Sequence, residues 1–302
     1  MDLESKIILI YGPTASGKSK FALKLAQKID GEIINADSMQ VYKELKVLSA
    51  RPRKEDINKI KHHLYGFQSV KKNFSTGDWL KLAKKKIIEV KKRGKIPILV
   101  GGTGLYFKAL TDGLVKIPGI SMKNRNQVRD MHKKLGQKKF FSKLLKLDPL
   151  SLGKINPTDS QRSIRAYEVK KFTKRSIHQW FKNTKSNFFE EDFFKIYIDY
   201  PRHQLIEKIT LRTEQMIKDG AIKEVKDFIK LRIRKDNSVL KAIGINEIGD
   251  YLSKKKELEE IKEKISIKTR QYAKRQTTWA RGNMMSWLKL KPQDLNKFLK
   301  KI

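Results

Sequence analysis

Residues 12–19 read Gly-Pro-Thr-Ala-Ser-Gly-Lys-Ser and fit the spacing G-x-x-x-x-G-K-[ST], with Gly12, Gly17, Lys18 and Ser19 at the fixed places. The chemistry of that spacing is phosphate binding. Glycine permits the positive φ and the close backbone approach that a phosphate cradle needs. Backbone N–H groups of the loop, and of the helix that follows it, face an anion. Lys18 adds a mobile positive charge, and the Ser19 hydroxyl can hold a Mg2+ ion. Pro13, Thr14, Ala15 and Ser16 complete the loop. The ligand class is a di- or triphosphate.

Other residues could act beside such a loop. Asp37 lies in Asn35-Ala36-Asp37-Ser38-Met39-Gln40-Val41-Tyr42. A carboxylate there can hold Mg2+ through water, act as general base toward an acceptor, or simply cap a helix. Gly101-Gly102-Thr103-Gly104 is a flexible turn whose Thr103 hydroxyl and N–H groups could take developing negative charge, or a plain Gly-Gly turn. In Asp159 to Arg165, Gln161 and Arg165 stand four apart on one helix face, either for base edges and phosphates or for solvent. In Arg270 to Arg281, Arg270, Lys274 and Arg281 approximate one stripe and Tyr272, Gln276 and Trp279 another. That pattern suits an RNA backbone with an unpaired base stacked on an aromatic, or a core tryptophan flanked by cations. The five histidines lack metal-ligand spacing; His62 and His63 read as packing or loop residues. No Ser-His-Asp arrangement and no dinucleotide fingerprint is present.

These residues need elements to hold them. Ile7–Tyr11 reads as a strand entering the loop, followed by a helix over 18–28 with Phe21, Ala22, Leu25 and Ala26 in register. A second strand over 32–36 ends at Asp37. A helix over 79–93 stops at Gly94, and a strand over 96–100 enters the Gly-Gly turn. Strand–helix alternation implies a parallel sheet, with ligands beyond the carboxyl ends of its strands. The phosphate loop, Asp37 and Thr103 all lie just past such ends. Residues 123–192 read as helical and basic, and a strand over 193–199 follows, so the helical stretch is expected to be an insertion. The chain then returns to helices over 203–219, 221–234 and 257–280, with a short tail helix or a frayed end over 292–302. The expected fold is α/β: a P-loop NTPase-like parallel sheet flanked by helices (1–122 and 193–302), with a helical insertion domain (123–192).

Composition bounds the partners. Lys and Arg number 69 against 32 Asp and Glu, a net charge of +37. Such an excess favours a polyanionic partner, although runs such as Lys84-Lys85-Lys86 and Lys254-Lys255-Lys256 read as solvated helix faces. With no cysteine, disulfides, thiolate metal sites and cysteine nucleophiles are excluded. No apolar run approaches the roughly 20 residues of a membrane span, and no signal peptide is expected.

Taken together the motifs resemble the bacterial tRNA dimethylallyltransferases, or tRNA isopentenyltransferases. The resemblance is carried by residues 12–19, by Ala-Asp-Ser-Met-Gln-Val-Tyr at 36–42 and by Ala50-Arg51-Pro52. It continues through Leu-Val-Gly-Gly-Thr-Gly-Leu-Tyr at 99–106, Asn156-Pro157 through Arg162 and Arg165, and Lys274-Arg275-Gln276-Thr277-Thr278-Trp279-Ala280-Arg281. It implies transfer of a dimethylallyl group from dimethylallyl diphosphate, with Mg2+, to N6 of the adenosine 3′-adjacent to the tRNA anticodon. The donor's diphosphate would sit on the 12–19 loop, where a kinase holds ATP. Asp37 would take the proton from the amine, and Thr103 would contact the amine and the bridging oxygen. Asp37, Ser38, Met39, Gln40, Thr103, Arg125, Gln161, Arg162, Ser163, Ile164, Arg165, Lys274 and Arg275 would meet the anticodon stem-loop. The resemblance further implies a cytoplasmic monomer without membrane contact.

The chain departs from the family's pattern in two places. Ile245 and Asn246 stand where the family often has an aromatic and a cation. In the helix after Pro201, Lys208 replaces the usual arginine, so diphosphate binding from that helix rests on Arg212. Two other readings use the same loop: a nucleoside or small-metabolite kinase, and a nucleic-acid-dependent ATPase for which Asp199 would end the Walker B strand. The basic-aromatic segment at 270–281 and the net charge favour the prenyl transfer over the kinase.

Overall fold

A computed structural model describes residues 3–182, 184–234 and 237–302. The chain divides into two compact units, one formed by 1–111 with 188–302 and the other by 112–187.

The first unit is built on a sheet. Five apolar residues make β1 (Ile7–Tyr11), every one buried. The phosphate loop follows, then α1 (Lys18–Lys28), which buries Phe21, Ala22, Leu25 and Ala26 at helical spacing. Next come β2 (Gly31–Asn35), the short α2 (Lys54–Lys59) and the two-residue β3 (His62–His63). α3 (Thr76–Lys91) begins with a capping box, in which Ser75 and Asp78 satisfy each other's N–H groups. β4 (Ile96–Gly101) runs into α4 (Gly104–Thr111).

The second unit holds α5 (Met122–Leu147, broken at Gly136), α6 (Ser160–Thr173) and α7 (Ile177–Phe181). Its core contains Ile120, Val128, Phe140, Phe141, Leu144, Ala166, Tyr167 and Val169, with Ile117 packed on it. The sequence boundaries at 123 and 192 therefore shift. Ile117 and Ile120 draw the segment before α5 into this unit. Phe188 instead packs edge-on against Phe193 of the sheet unit, 5.7 Å between ring centroids.

The chain re-enters the sheet with β5 (Phe193–Ile198) and continues through α8 (Arg202–Lys218), α9 (Ala221–Lys230), α10 (Ile245–Leu252) and α11 (Leu258–Asn283). It closes with β6 (Leu288–Leu290) and α12 (Asp294–Lys301). Among the described residues the sheet has six parallel strands in the order β3-β2-β4-β1-β5-β6. One face packs on α3, α4 and the end of α11; the other packs on α1, α8 and α12. A third cluster joins residues 39–48 to α8, α9, α10 and α11.

This strand order places the crevice. From β1 the chain passes beyond β4 to form β2, and from β4 it crosses back past β1 to form β5. The carboxyl ends of β1 and β4 flank that reversal, where ligands of open α/β sheets bind.

Two short strands and two short helices were absent from the sequence reading. β3 is an edge strand whose inward residue is a histidine. His63 Nε2 lies 2.5 Å from buried Glu32, which also takes two hydrogen bonds from Arg93. Burial holds the His63 pKa below its usual value despite the Glu32 carboxylate, which raises it. A polar triplet of this kind leaves no alternating apolar signal.

Candidate active site

Three loops meet beyond the carboxyl ends of β1, β2 and β4. In the phosphate loop Ala15 and Gly17 both take positive φ, 63° and 79°, a backbone form from which N–H groups can line an anion-binding concavity. Non-glycine residues rarely adopt that conformation, and it concentrates at ligand sites. Gly17 caps α1, placing the helix N-terminus against the cradle. The position of a Gly12 Cβ is 2.8 Å from the Ser16 hydroxyl, which is buried without a hydrogen-bond partner. Lys18 Nζ folds back onto the Pro13 carbonyl at 3.2 Å, and Ser19 is exposed at the start of α1.

The second loop presents Asp37. Asn35, fully buried at the end of β2, accepts from the Asp37 N–H and donates to the Asp37 and Leu64 carbonyls. Asp37 Oδ1 accepts from the Met39 N–H at 2.9 Å, an Asx turn that fixes the carboxylate and leaves its second oxygen for other partners. The third loop presents Thr103. Its Oγ1 accepts from the Ser38 N–H at 2.9 Å and lies 3.2 Å from Ser38 Oγ, so Asp37 and Thr103 are locked side by side. Glycine is required at 101 for this approach, because a Cβ there would lie 2.0 Å from the Ala36 carbonyl oxygen.

The electrostatics tie these loops together. Burial lowers the Lys18 pKa to about 8; the Asp37 carboxylate opposes the shift, and Arg212 adds to it. Arg212 on α8 is also lowered by burial and also feels Asp37. Its Nη1 donates to the Thr14 hydroxyl at 3.0 Å. Lysine, arginine and aspartate thus share one environment. Asp37, Ser38, Thr14 and Arg212 line a cavity of about 330 Å3 with Tyr272, Arg275, Lys241 and an apolar wall that includes Leu45, Leu48, Met216 and Ile243.

The remaining sequence-selected residues fall into three groups. Met39 lies half-buried against the 39–48 cluster, and the Gln40 amide donates to the Ser49 and Ala50 carbonyls, shaping the loop that bears Asp37. Lys274 and Arg275 are both exposed but line different cavities. Arg275 belongs to the Asp37 cavity. Lys274 belongs to a larger one of about 590 Å3, with Arg202, Arg270, Arg281, Lys291 and Asp199. Asp199 accepts from the Tyr197 hydroxyl there, apart from the cavity that holds Asp37. The third group, Arg125 and 161–165, lies in the helical unit. Gln161 and Arg162 are exposed on the first turn of α6, Arg165 pairs with Glu168, and Arg125 Nε is buried without a hydrogen-bond partner.

Two sequence expectations need correcting. Ser163 cannot present its side chain to RNA: it is 0 % exposed, and its hydroxyl donates to the Asp159 carbonyl one turn back. Ile164 packs on the core of the helical unit. Of the two readings of 270–281, the core one holds for Gln276 and Trp279, while Tyr272 lines the Asp37 cavity. Trp279 packs 5.8 Å from Tyr11, with Gly104 fitted against its ring. Gln276 is buried between the phosphate loop and the Gly-Gly turn. Helical period identified the stripe but not the side of α11 that faces inward; the small residues Ala273 and Ala280 were the available signal.

Among the described residues, no group of three or more His, Cys, Asp or Glu could hold a metal ion, and no helix is long and apolar enough to cross a membrane. The IPP transferase family model matches residues 40–283. A tRNA dimethylallyltransferase of Pelagibacter ubique is 61 % identical over 302 residues, covering 100 % of this chain and 96 % of that relative. One from Rickettsia massiliae is 43 % identical and covers 98 % and 82 %. The crystal structure of a Bacillus halodurans tRNA isopentenylpyrophosphate transferase is 31 % identical, with a TM-score of 0.69 over 98 % of this chain and 95 % of that one. A eukaryotic dimethylallyltransferase captured acting on tRNA superposes with a TM-score of 0.82 at 28 % identity, covering 97 % and 75 %. With a matching family model over most of its length and a relative at 61 % identity, the chain belongs to the IPP transferase family.

Proposed function

We propose that the chain transfers a dimethylallyl group from dimethylallyl diphosphate to N6 of the adenosine 3′-adjacent to the anticodon, releasing diphosphate. The observation that carries this reading is the cavity that Thr14 of the phosphate loop, Arg212 and Asp37 line together, with Arg212 donating to the Thr14 hydroxyl. A phosphate cradle alone would serve a kinase equally well. A carboxylate held beside it, at the rim of a partly apolar cavity, suits alkylation of a weak nitrogen nucleophile.

The chemistry divides between the loops. The exocyclic amine of adenine is a poor nucleophile because its lone pair is delocalised into the ring. The allylic carbon can bear positive charge as its bond to oxygen breaks. Stabilising the departing diphosphate is therefore the largest contribution, and we assign it to Lys18, Arg212 and the loop N–H groups of 15 and 17–19, the Ser16 N–H being bonded to the Pro13 carbonyl. As the N6–carbon bond forms, the amine gives its proton to Asp37. To Thr103, held beside Asp37 through Ser38, we assign contact with the amine and the bridging oxygen. Reading a stacked purine this way requires flipping it out, at a cost of a few kcal/mol.

The Mg2+ ion that the resemblance implies fits a donor set in which the exposed Ser19 hydroxyl stands at the cradle and no cluster of three or more His, Cys, Asp or Glu is found among the described residues, so that the ion would depend on the diphosphate. Ser19 would hold it, with diphosphate oxygens and water completing its shell, and its charge would offset that of the leaving group. Arg125, Gln161, Arg162, Lys274 and Arg275 are the side chains we assign to RNA. We infer that an enzyme acting on tRNA works in the cytosol, and we take it to work as a monomer.

The test is incubation with labelled dimethylallyl diphosphate, Mg2+ and unmodified tRNA, followed by nucleoside analysis. Label in N6-dimethylallyladenosine is expected. ATP consumption in a parallel reaction without such product would overturn the reading in favour of a kinase or an ATPase.

A further inference from the structure

Gln276 lies far in sequence from both ligand loops and touches each of them. Its Oε1 accepts from the Thr14 N–H at 2.8 Å, and its Nε2 donates to the Gly102 carbonyl at 2.8 Å. Its own carbonyl accepts from the Tyr11 hydroxyl at 2.9 Å, which anchors that turn of α11 to the end of β1. The side chain is only 4 % exposed. From this geometry we infer that Gln276 is a positioning residue that holds the diphosphate loop and the Thr103 loop in a single register. The inference deepens the prenyl-transfer reading and rests on it.

Chemical type explains the choice of residue. The bridge needs one acceptor and one donor in a common plane, which a primary amide supplies. A carboxylate would satisfy Thr14 but would set negative charge against the Gly102 carbonyl. An apolar side chain would leave a buried N–H and a buried C=O without partners. The glycine at 102 follows from the same contact, since a Cβ there would lie 2.1 Å from Nε2.

The bridge also narrows the phosphate cradle. The Thr14 N–H is committed to Gln276, so Thr14 contributes its hydroxyl, next to Arg212, and the free N–H groups begin at residue 15. Gly102 immediately precedes Thr103, and Thr103 is hydrogen-bonded to Ser38 beside Asp37. Gln276 therefore sets the distance between the departing oxygen and the attacking amine. Displacements of about 1 Å between reacting groups can cost about a hundredfold in rate.

Gln276→Met keeps the volume and removes both bonds. At saturating donor and tRNA its single-turnover rate is expected to fall about 10- to 100-fold, with tRNA affinity within about threefold of the parent. Gln276→Glu carries the discriminating readout. At pH 8 its ionised carboxylate cannot donate to Gly102; once protonated, it restores both bonds. The ratio of its rate to that of the parent is expected to rise at least tenfold from pH 8 to pH 5.5. Of the ionisable groups, Tyr11 donates to the Gln276 carbonyl and Arg212 to the Thr14 hydroxyl beside the bridge; these, with Lys18 and Asp37 of the ligand loops and Tyr272 of α11, are present in both proteins, and dividing by the parent rate removes their own titration. A flat ratio, or a folded Gln276→Met enzyme with more than half the parent rate, overturns the inference. If the Glu variant does not fold, Gly102→Ala displaces Nε2 with Gln276 retained, and full activity there overturns it too. A parent enzyme that prenylates no tRNA would instead defeat the proposed function.

Discussion

Asp37 and Lys18 have opposite charges and opposite tasks, and each yields a prediction. Replacing Asp37 by Asn keeps an oxygen to accept from the Met39 N–H, so the loop retains its shape while the base is lost. Turnover is expected to fall by about two to four orders of magnitude, the usual size of a general-base contribution, with tRNA affinity within about threefold. Asp37→Ala should fall at least as far. Single-turnover kinetics with a filter-binding control decide it; near-parental turnover would remove the base assignment. For Lys18, burial lowers the pKa to about 8 from 10.5. The ammonium that meets the diphosphate is therefore lost as pH rises past about 8, and donor affinity should fall there. A bound diphosphate raises that pKa again, so binding near pH 9 should take up a proton. Calorimetry in two buffers of different ionisation heat measures the uptake, and none would mean a lysine charged throughout. The stability effect has the other sign. Between about 8 and 10.5 the unfolded chain holds more protons on this lysine, so its contribution to stability rises with pH across that window.

The elements explain why some of this was legible in the sequence. β1 and β4 are short apolar runs ending in glycines, and α1 shows its buried face as Phe21, Ala22, Leu25 and Ala26. Strand followed by glycine-rich turn followed by helix is a local pattern, so three loops at one end of a sheet could be inferred. β3 and β6 were missed because two or three residues carry no period; they are strands only because β2 and β5 offer them open edges. The role of Gln276 was missed for a different reason. Its contacts lie more than 170 residues away, and no period along α11 reports what packs on it. Glycines bound this junction, and they differ in what they tolerate. Gly101→Ala drives a methyl group into the Ala36 backbone and forces the ends of β2 and β4 apart. It should lose about 1–3 kcal/mol, read as a fall of several degrees in Tm. Gly136→Ala meets no atom within 4 Å, although its φ of 71° still strains an alanine, so a smaller loss is expected there.

At the scale of the whole molecule the dominant quantity is a net charge of +37. That charge is not uniformly available. Lys85 and Lys86 on α3 both pair with Glu89, whereas Arg202, Arg270, Lys274, Arg281 and Lys291 converge on one cavity with Asp199 as its single carboxylate. If tRNA is gripped mainly through its phosphates, neutralising them releases counterions, and affinity must fall with added salt. Contacts to about 6–10 phosphates would cost about 10^3–10^5 in affinity between 50 and 200 mM salt. Lys274→Ala should weaken tRNA by a similar factor across different tRNAs and lower the slope of log affinity against log salt by about 0.9 if Lys274 meets one phosphate. Lys85→Ala should leave that slope where it was. Fluorescence titrations across a salt series measure both. Equal slopes for the parent and the Lys274 variant would remove Lys274 and its cavity from the RNA-binding surface while leaving Arg275 and the chemistry at Asp37 untouched, because Lys274 lines a cavity separate from theirs.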